Sequence, residues 1–317
     1  MMLFKAAVLF AALGMSMGAA HAQSWPSKPI RTIVPFAPGG SIDVGARMIA
    51  EALGKRLGQS VIVENRPGAD GVIGTDFVAK SAPDGYTIAA IGGSSFHPAL
   101  IKTLPFNLTR DMQPVILVRV GDSAVMVNAN FPVKNLRELQ AWVKANPGKL
   151  NFGGSTVPTT LATEMFKKAM GIDGMVIPYK GSAPVVTALL GGEVQISLDP
   201  PIAYKQHVDA GKLRFLAITG KQRQAIFADV PTTHEQGVNF AFGTNTGYWL
   251  PGGTPMPIVD RFNREINEII RTPEFRKYVE STGGVVMGGA PEEFRAWIVN
   301  DQAFLAEGAR LIKYQPQ

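Results

Sequence analysis

The sequence predicts an α/β protein built as two lobes. Three observations point there. Short β-type runs alternate with helical patterns along the chain, the pattern restarts near Ser123 as a second unit, and the 317 residues exceed the ~250–300 at which a single core stops growing. Hydrophobic residues make up 46% and charged residues 18%, which excludes disorder and low complexity. The 34 glycines and 23 prolines therefore belong in turns.

The chain opens with an address. Lys5 precedes a charge-free apolar stretch from Ala6 to Ala20, and Ala20-His21-Ala22 is the small-x-small pattern of a signal-peptidase site. Residues 1–22 are read as a signal peptide cleaved after Ala22, which places the mature chain in the periplasm. The apolar stretch is shorter than the ~20 residues of a membrane-spanning helix. With no Cys, disulfide staples, thiol catalysis and Cys-ligated metal are excluded. The formal charge of +6 comes from dispersed Lys and Arg, which argues against nucleic acid and suits an anionic small molecule.

Thr32–Phe36, Val61–Val63, Thr87–Ile91 and Val115–Val120 are apolar or β-branched runs and predict strands of a largely parallel sheet. Between the first two lies a helix whose Val44, Met48, Ile49, Ala52, Leu53 and Leu57 follow a 3.6 period, with Ser41 as cap and Gly58 as stop. A second helix runs from about Gly71 to Ala79 and ends before the Pro83-Asp84-Gly85 turn.

In the second unit Val125–Val127 predicts a strand, and Asn135-x-x-Glu138 opens a helix that turns Leu136, Leu139, Trp142 and Val143 inward. Strands follow at Leu150–Phe152, Met175–Ile177, Val194–Leu198 and Leu213–Ile218, separated by helices near 160–169, 183–190 and 204–209. Beyond Asp229 a strand near Thr246–Leu250 leads to helices started by Pro257, Pro273 and Pro291, each near a first-turn position where its missing N–H costs nothing. These helices have no sheet of their own, so they must return to the first unit. The expected division is 23–122 with 228–317 as lobe 1 and 123–227 as lobe 2.

Three Gly-Gly-Ser triplets, at 39–41, 92–94 and 153–155, each follow a predicted strand. Glycine admits close backbone approach, a helix start offers free N–H groups and a positive dipole end, and Ser adds a hydroxyl. Together they make an anion site at the strand ends of an open sheet. Each triplet taken alone is also an ordinary capped turn. Thr156, Thr159 and Thr160 extend the third loop as caps or donors, and Ser94 and Ser95 carry the same double reading. Asp43 reads as a first-turn carboxylate that offsets the dipole. Asp199 ends a strand, where it could accept from a ligand or start the next helix.

Catalytic patterns are scarce. His97, His207 and His234 form no metal-ligand spacing, and there is no G-x-S-x-G elbow or phosphate-binding loop. Neither a metal nor a cofactor is expected. Ser94, Ser95 and His97 leave an ester hydrolase as the enzymatic alternative.

Taken in order, Val34-Pro35-Phe36-Ala37-Pro38-Gly39-Gly40-Ser41 with Asp43 and Arg47, Glu64-Asn65-Arg66-Pro67-Gly68, Pro83-Asp84-Gly85-Tyr86-Thr87, Pro178-Tyr179-Lys180-Gly181 and Leu189-Leu190-Gly191-Gly192 resemble the Bug-type extracytoplasmic solute receptors of tripartite tricarboxylate transporters. The resemblance spans nearly all of the mature chain. It implies a type II-like, two-lobed periplasmic binding protein with the ligand cleft between its lobes. Such a protein, acting as a monomer, closes on a di- or tricarboxylate, acidic amino acid or aromatic carboxylate and delivers it to membrane permease subunits. A ligand-loaded partner of a membrane signalling protein is the alternative use. Carried onto matching positions, the implied ligand residues are Phe36, Ala37, Pro38, Gly39, Gly40, Ser41, Ser94, Ser95, Ser155, Thr156, Thr159, Thr160 and Asp199. The chain departs from the family pattern at Thr156-Val157-Pro158-Thr159-Thr160 and at Gln195, where Asp is common.

Overall fold

The computed structural model describes residues 25–220, 222–281 and 283–316; the expected signal peptide lies outside them. Eleven strands form two sheets among these residues. Strands β1 (Ile30–Val34), β2 (Val61–Asn65), β3 (Thr87–Ile91), β4 (Met112–Asp122), β10 (Gly243–Pro251) and β11 (Gly284–Val286) make the first, in the order β11-β4-β10-β3-β1-β2. Strands β5 (Ala124–Asn128), β6 (Asn151–Gly154), β7 (Met175–Pro178), β8 (Ile196–Asp199) and β9 (Leu213–Ile218) make the second, in the order β7-β6-β8-β5-β9.

Both sheets are mixed, which corrects the expectation of largely parallel ones. β1 pairs in parallel with β2 and β3, but β10 is antiparallel to β3 and β4. In the second sheet β6 is parallel to β7 and β8, while β5 runs against β8 and β9. Of the strands that run against their neighbours, β5 and β10 carry the chain between sheets, and β11 adds an antiparallel edge beside β4. β4 leads through Ser123 alone into β5, and β10 brings the chain back. The short β11 escaped the sequence reading because three residues beside two glycines carry little periodic signal.

The first sheet is covered on one face by α1 (Ser41–Leu57), α8 (Met256–Ile270) and α9 (Pro273–Glu280), whose Ile49, Leu53, Phe262, Ile266 and Phe275 share a core with Ile30, Val115 and Tyr248. Each such side chain contributes about 1.5–3 kcal/mol when buried. On the other face lie α2 (Val72–Ala79) and α10 (Pro291–Leu311), and α3 (Leu108–Asp111) leads into β4. The second sheet holds α4 (Leu136–Ala145) and α5 (Val157–Met170) against one face, with α6 (Ser182–Gly191) and α7 (Lys205–Asp209) following on the chain. Lys168 of α5 reaches the Leu311 carbonyl at the end of α10, 3.0 Å away, so the C-terminal helix touches both lobes.

The strand crossings are stitched together. Ser123 N donates to Thr219 Oγ1 at 3.0 Å and Thr219 N to the Ser123 carbonyl at 2.9 Å. Phe242, just ahead of β10, donates its N–H to the Thr219 carbonyl at 3.3 Å. Before that return the segment 231–240 stays with the second sheet: Thr232 bridges Ile218, and Gln236 Nε2 donates to the Leu216 carbonyl at 2.8 Å. Among the described residues no helix is long and apolar enough to cross a membrane.

Candidate functional site

A cleft, partly open to solvent, lies between the sheets and is bordered by residues of both. On the second-sheet side Asp199, the last residue of β8, is 1% exposed. It accepts from Ser155 Oγ at 2.6 Å and from Tyr204 OH at 2.9 Å, and Ser182 adds a third hydroxyl. Burial pushes its carboxyl up to about 6, against the opposing pull of these three hydroxyls.

Ser155 therefore spends its proton on Asp199, and its hydroxyl oxygen also lies 3.2 Å from Thr159 Oγ1. The neighbouring start of α5 is closed in the same way. Thr156 and Thr159 cap each other, and Thr159 Oγ1 accepts from the backbone N–H of Ser155 at 3.2 Å and of Thr156 at 2.9 Å. Thr160 packs beneath the end of β6, where its hydroxyl occupies the space a side chain at Gly154 would need.

On the first-sheet side Ser94 Oγ donates to Asp301 of α10 and accepts from Asn245 Nδ2 at 2.6 Å. Burial raises the Asp301 carboxyl, with Ser94 opposing. The amide oxygen of Asn245 is buried and has no partner. Arg119 of β4 also borders the cleft; it is 6% exposed, and its Nε and Nη2 have no hydrogen-bond partner.

The cap position of α1 falls to Gly40 rather than the expected Ser41, and no side chain caps it. Asp43 beside it is a buried carboxylate that takes the Gly39 N–H at 2.9 Å and is itself held by Arg47 and Asn65. Burial raises this carboxyl, yet Arg47, Gly39 and Asn65 together outweigh that and bring it below its ordinary value. Asp43 thus fixes the loop from within, beside the dipole-offsetting place that its first-turn position gives it.

Of the residues singled out in the sequence, Phe36, Ser94, Ser155, Thr156, Thr159 and Asp199 border the cleft. Ala37, Pro38, Gly39, Gly40 and Ser41 form the turn and helix start that lead to Ile42, which does border it. Ser95 follows Ser94 in a short 3-10 turn at Gly93–Ser95. Gln195 ties β8 to β6 by accepting the Asn151 N–H at 3.0 Å. Phe96 is buried against Phe106. Sequence reasoning missed Arg119, Ser182, Asn245 and Asp301. A charged residue inside the apolar run Val115–Val120 was one available signal; Ser182 opens α6 just after Gly181 within the second unit, and Asn245 and Asp301 are brought in by the return of the chain.

Two α/β lobes joined by paired strand crossings, with a polar cleft drawn from both, define a solute receptor of the periplasmic binding class. A family model described as the tripartite tricarboxylate transporter family receptor matches residues 45–311. The chain belongs to that family. Among curated relatives, BugT of Bordetella pertussis is 36% identical, over 88% of this chain and 88% of its own. A protein of Bordetella bronchiseptica is 35% identical over 90% of this chain and 86% of that one. Among solved structures, the periplasmic binding protein BugD superposes with a TM-score of 0.88 at 32% identity, covering 92% of this chain and 100% of BugD. An R. palustris protein with adipate gives 0.89 at 30% identity, covering 92% and 100%. MatC from Rhodopseudomonas palustris with bound malate gives 0.85 at 27% identity, covering 90% and 99%.

Proposed function

We propose that this protein is exported to the periplasm, cleaved after Ala22, and there captures a small carboxylate by lobe closure for delivery to the permease subunits of a tripartite transporter. The observation that carries the reading is the cleft itself: polar residues of both sheets face one space, so a ligand there touches both lobes and stabilises their approach. Relatives holding adipate and malate support a carboxylate. We draw lobe 1 as 23–122 with the C-terminal part and lobe 2 from 123, and place the return crossing at Phe242 because residues 231–240 bond to β9. The receptor is read as a monomer with no catalytic step. Ser94 bonds Asp301 and Asn245, and His97 Nδ1 accepts the Ala99 N–H at 3.1 Å, so the pieces of the hydrolase alternative serve other partners.

The test is a thermal-shift screen of the protein purified from the periplasm, against carboxylates that include malate, succinate, aspartate and adipate, with neutral sugars and amines as controls. A ligand at ~100 times its dissociation constant stabilises the native state by about 2.7 kcal/mol, so one carboxylate class is expected to raise the melting temperature by several degrees. A shift with sugars or amines alone overturns the reading. N-terminal sequencing of the same sample is expected to begin at Gln23.

A further inference from the structure

We propose that Arg119 is the counter-ion for an anionic group of the captured ligand. This rests on the receptor reading and supplies its charged contact. A guanidinium inside a strand is costly to bury without a partner. Arg119 forms no ion pair among the described residues, and its Nε and Nη2 are unmet. The titratable group it senses is Tyr278, a neutral phenol at physiological pH because burial holds its hydroxyl up to about 12.

Its setting is built rather than accidental. The pairing of β4 with β10 passes from Thr246 opposite Arg119 to Gly247 opposite Leu117, so Val118 is skipped. Such a bulge re-aims the side chains beside it. Gly121 and Gly284 leave room for the guanidinium: a Cβ at either would stand 2.7 or 2.6 Å from Nη2. Ile42, in the first turn of the 17-residue α1, borders the same cleft, and that helix has no side-chain cap. Uncapped N–H groups and an unpaired guanidinium thus flank one space, which favours an oxyanion.

The acids of the cleft do not answer the charge. Asp199 is held by Ser155 and Tyr204, and Asp301 by Ser94. Asn245 pairs with Val120 while Thr246 pairs with Arg119, so the Ser94–Asn245–Asp301 group and Arg119 lie on opposite faces of the sheet. Arg119 is the one cation bordering the cleft among the described residues, and a neutral ligand would leave it uncompensated.

The experiment is calorimetric titration of wild type, Arg119→Met and Arg119→Lys with the carboxylate that shifts the wild-type melt. Arg119→Met is expected to weaken binding about 100-fold, with Arg119→Lys restoring part of it, while the unliganded melting temperature of Arg119→Met stays level or rises. Binding by Arg119→Met within threefold of wild type overturns the proposal and leaves the receptor reading intact. Should Arg119→Met fail to fold, wild-type affinity for Arg119→Lys decides: equal affinity together with no salt dependence in wild type overturns it. A wild type that binds no carboxylate overturns both.

Discussion

The two walls of the cleft are made of the same parts and finished differently. On the second-sheet wall Thr156 and Thr159 close the start of α5, and Asp199 collects three hydroxyls. On the first-sheet wall α1 starts at an uncapped Gly40, while Arg119 and the Asn245 amide oxygen have no partner. A satisfied polar group is rigid and has little left to offer a ligand, whereas an unmet buried group raises the free energy of the empty protein and regains it on binding. On the proposed reading, the second wall acts as a shaped surface and the first carries the unspent affinity.

That contrast can be broken most strongly by pH. The folded-state pKa of Asp199, about 6, lies above its ordinary 3.8, so the folded protein holds this proton more tightly than the unfolded chain does. The resulting stabilisation is full below about pH 4 and is lost as pH rises through 6. Relative to Asp199→Asn, the wild type is expected to lose about 3 kcal/mol between pH 4 and 8, at 1.36 kcal/mol per unit. Urea unfolding of both proteins across that range checks it. Parallel curves would show that Asp199 is not the strained member of its wall.

A smaller effect follows from the hydroxyls that hold the carboxylate. Tyr204→Phe removes the 2.9 Å bond to Asp199 and is expected to cost about 2 kcal/mol at neutral pH. It also removes a pull that lowers the Asp199 pKa, so the loss of stability with pH should move to higher pH. A stability change without that movement would assign Tyr204 to packing alone.

Much of the fold was legible because periodicity and punctuation act locally. The strands at Thr87–Ile91 and Leu213–Ile218 fall where their apolar runs place them, and Gly58, in the left-handed region at φ 69°, ends α1 as expected. Strand direction was not legible, since β10 takes its place between β3 and β4 only after the chain has left and returned. The same distance hid half of the cleft. Ser94, Ser155 and Asp199 stand at strand ends and could be picked from local pattern, but Asn245 and Asp301 join Ser94 across 151 residues and from a helix face. Local pattern also could not say which way the hydroxyl protons point. The Ser155 hydroxyl points to Asp199, 44 residues further on.

The smallest expected effect sharpens the comparison from the other side. Asn245→Leu keeps a similar volume and removes the donor that reaches Ser94 at 2.6 Å and Asp301 at 3.4 Å, a loss of about 1 kcal/mol. It removes the unmet amide oxygen as well, whose burial costs about as much or more. Ser94 keeps Asp301 as its acceptor. The two changes offset, so stability in urea is expected to stay within about 1 kcal/mol of wild type, although the side chain is 8% exposed and bonded on one side. A cost as large as that of Tyr204→Phe would mean that Asn245 is satisfied in the empty protein, and that the first wall is as finished as the second.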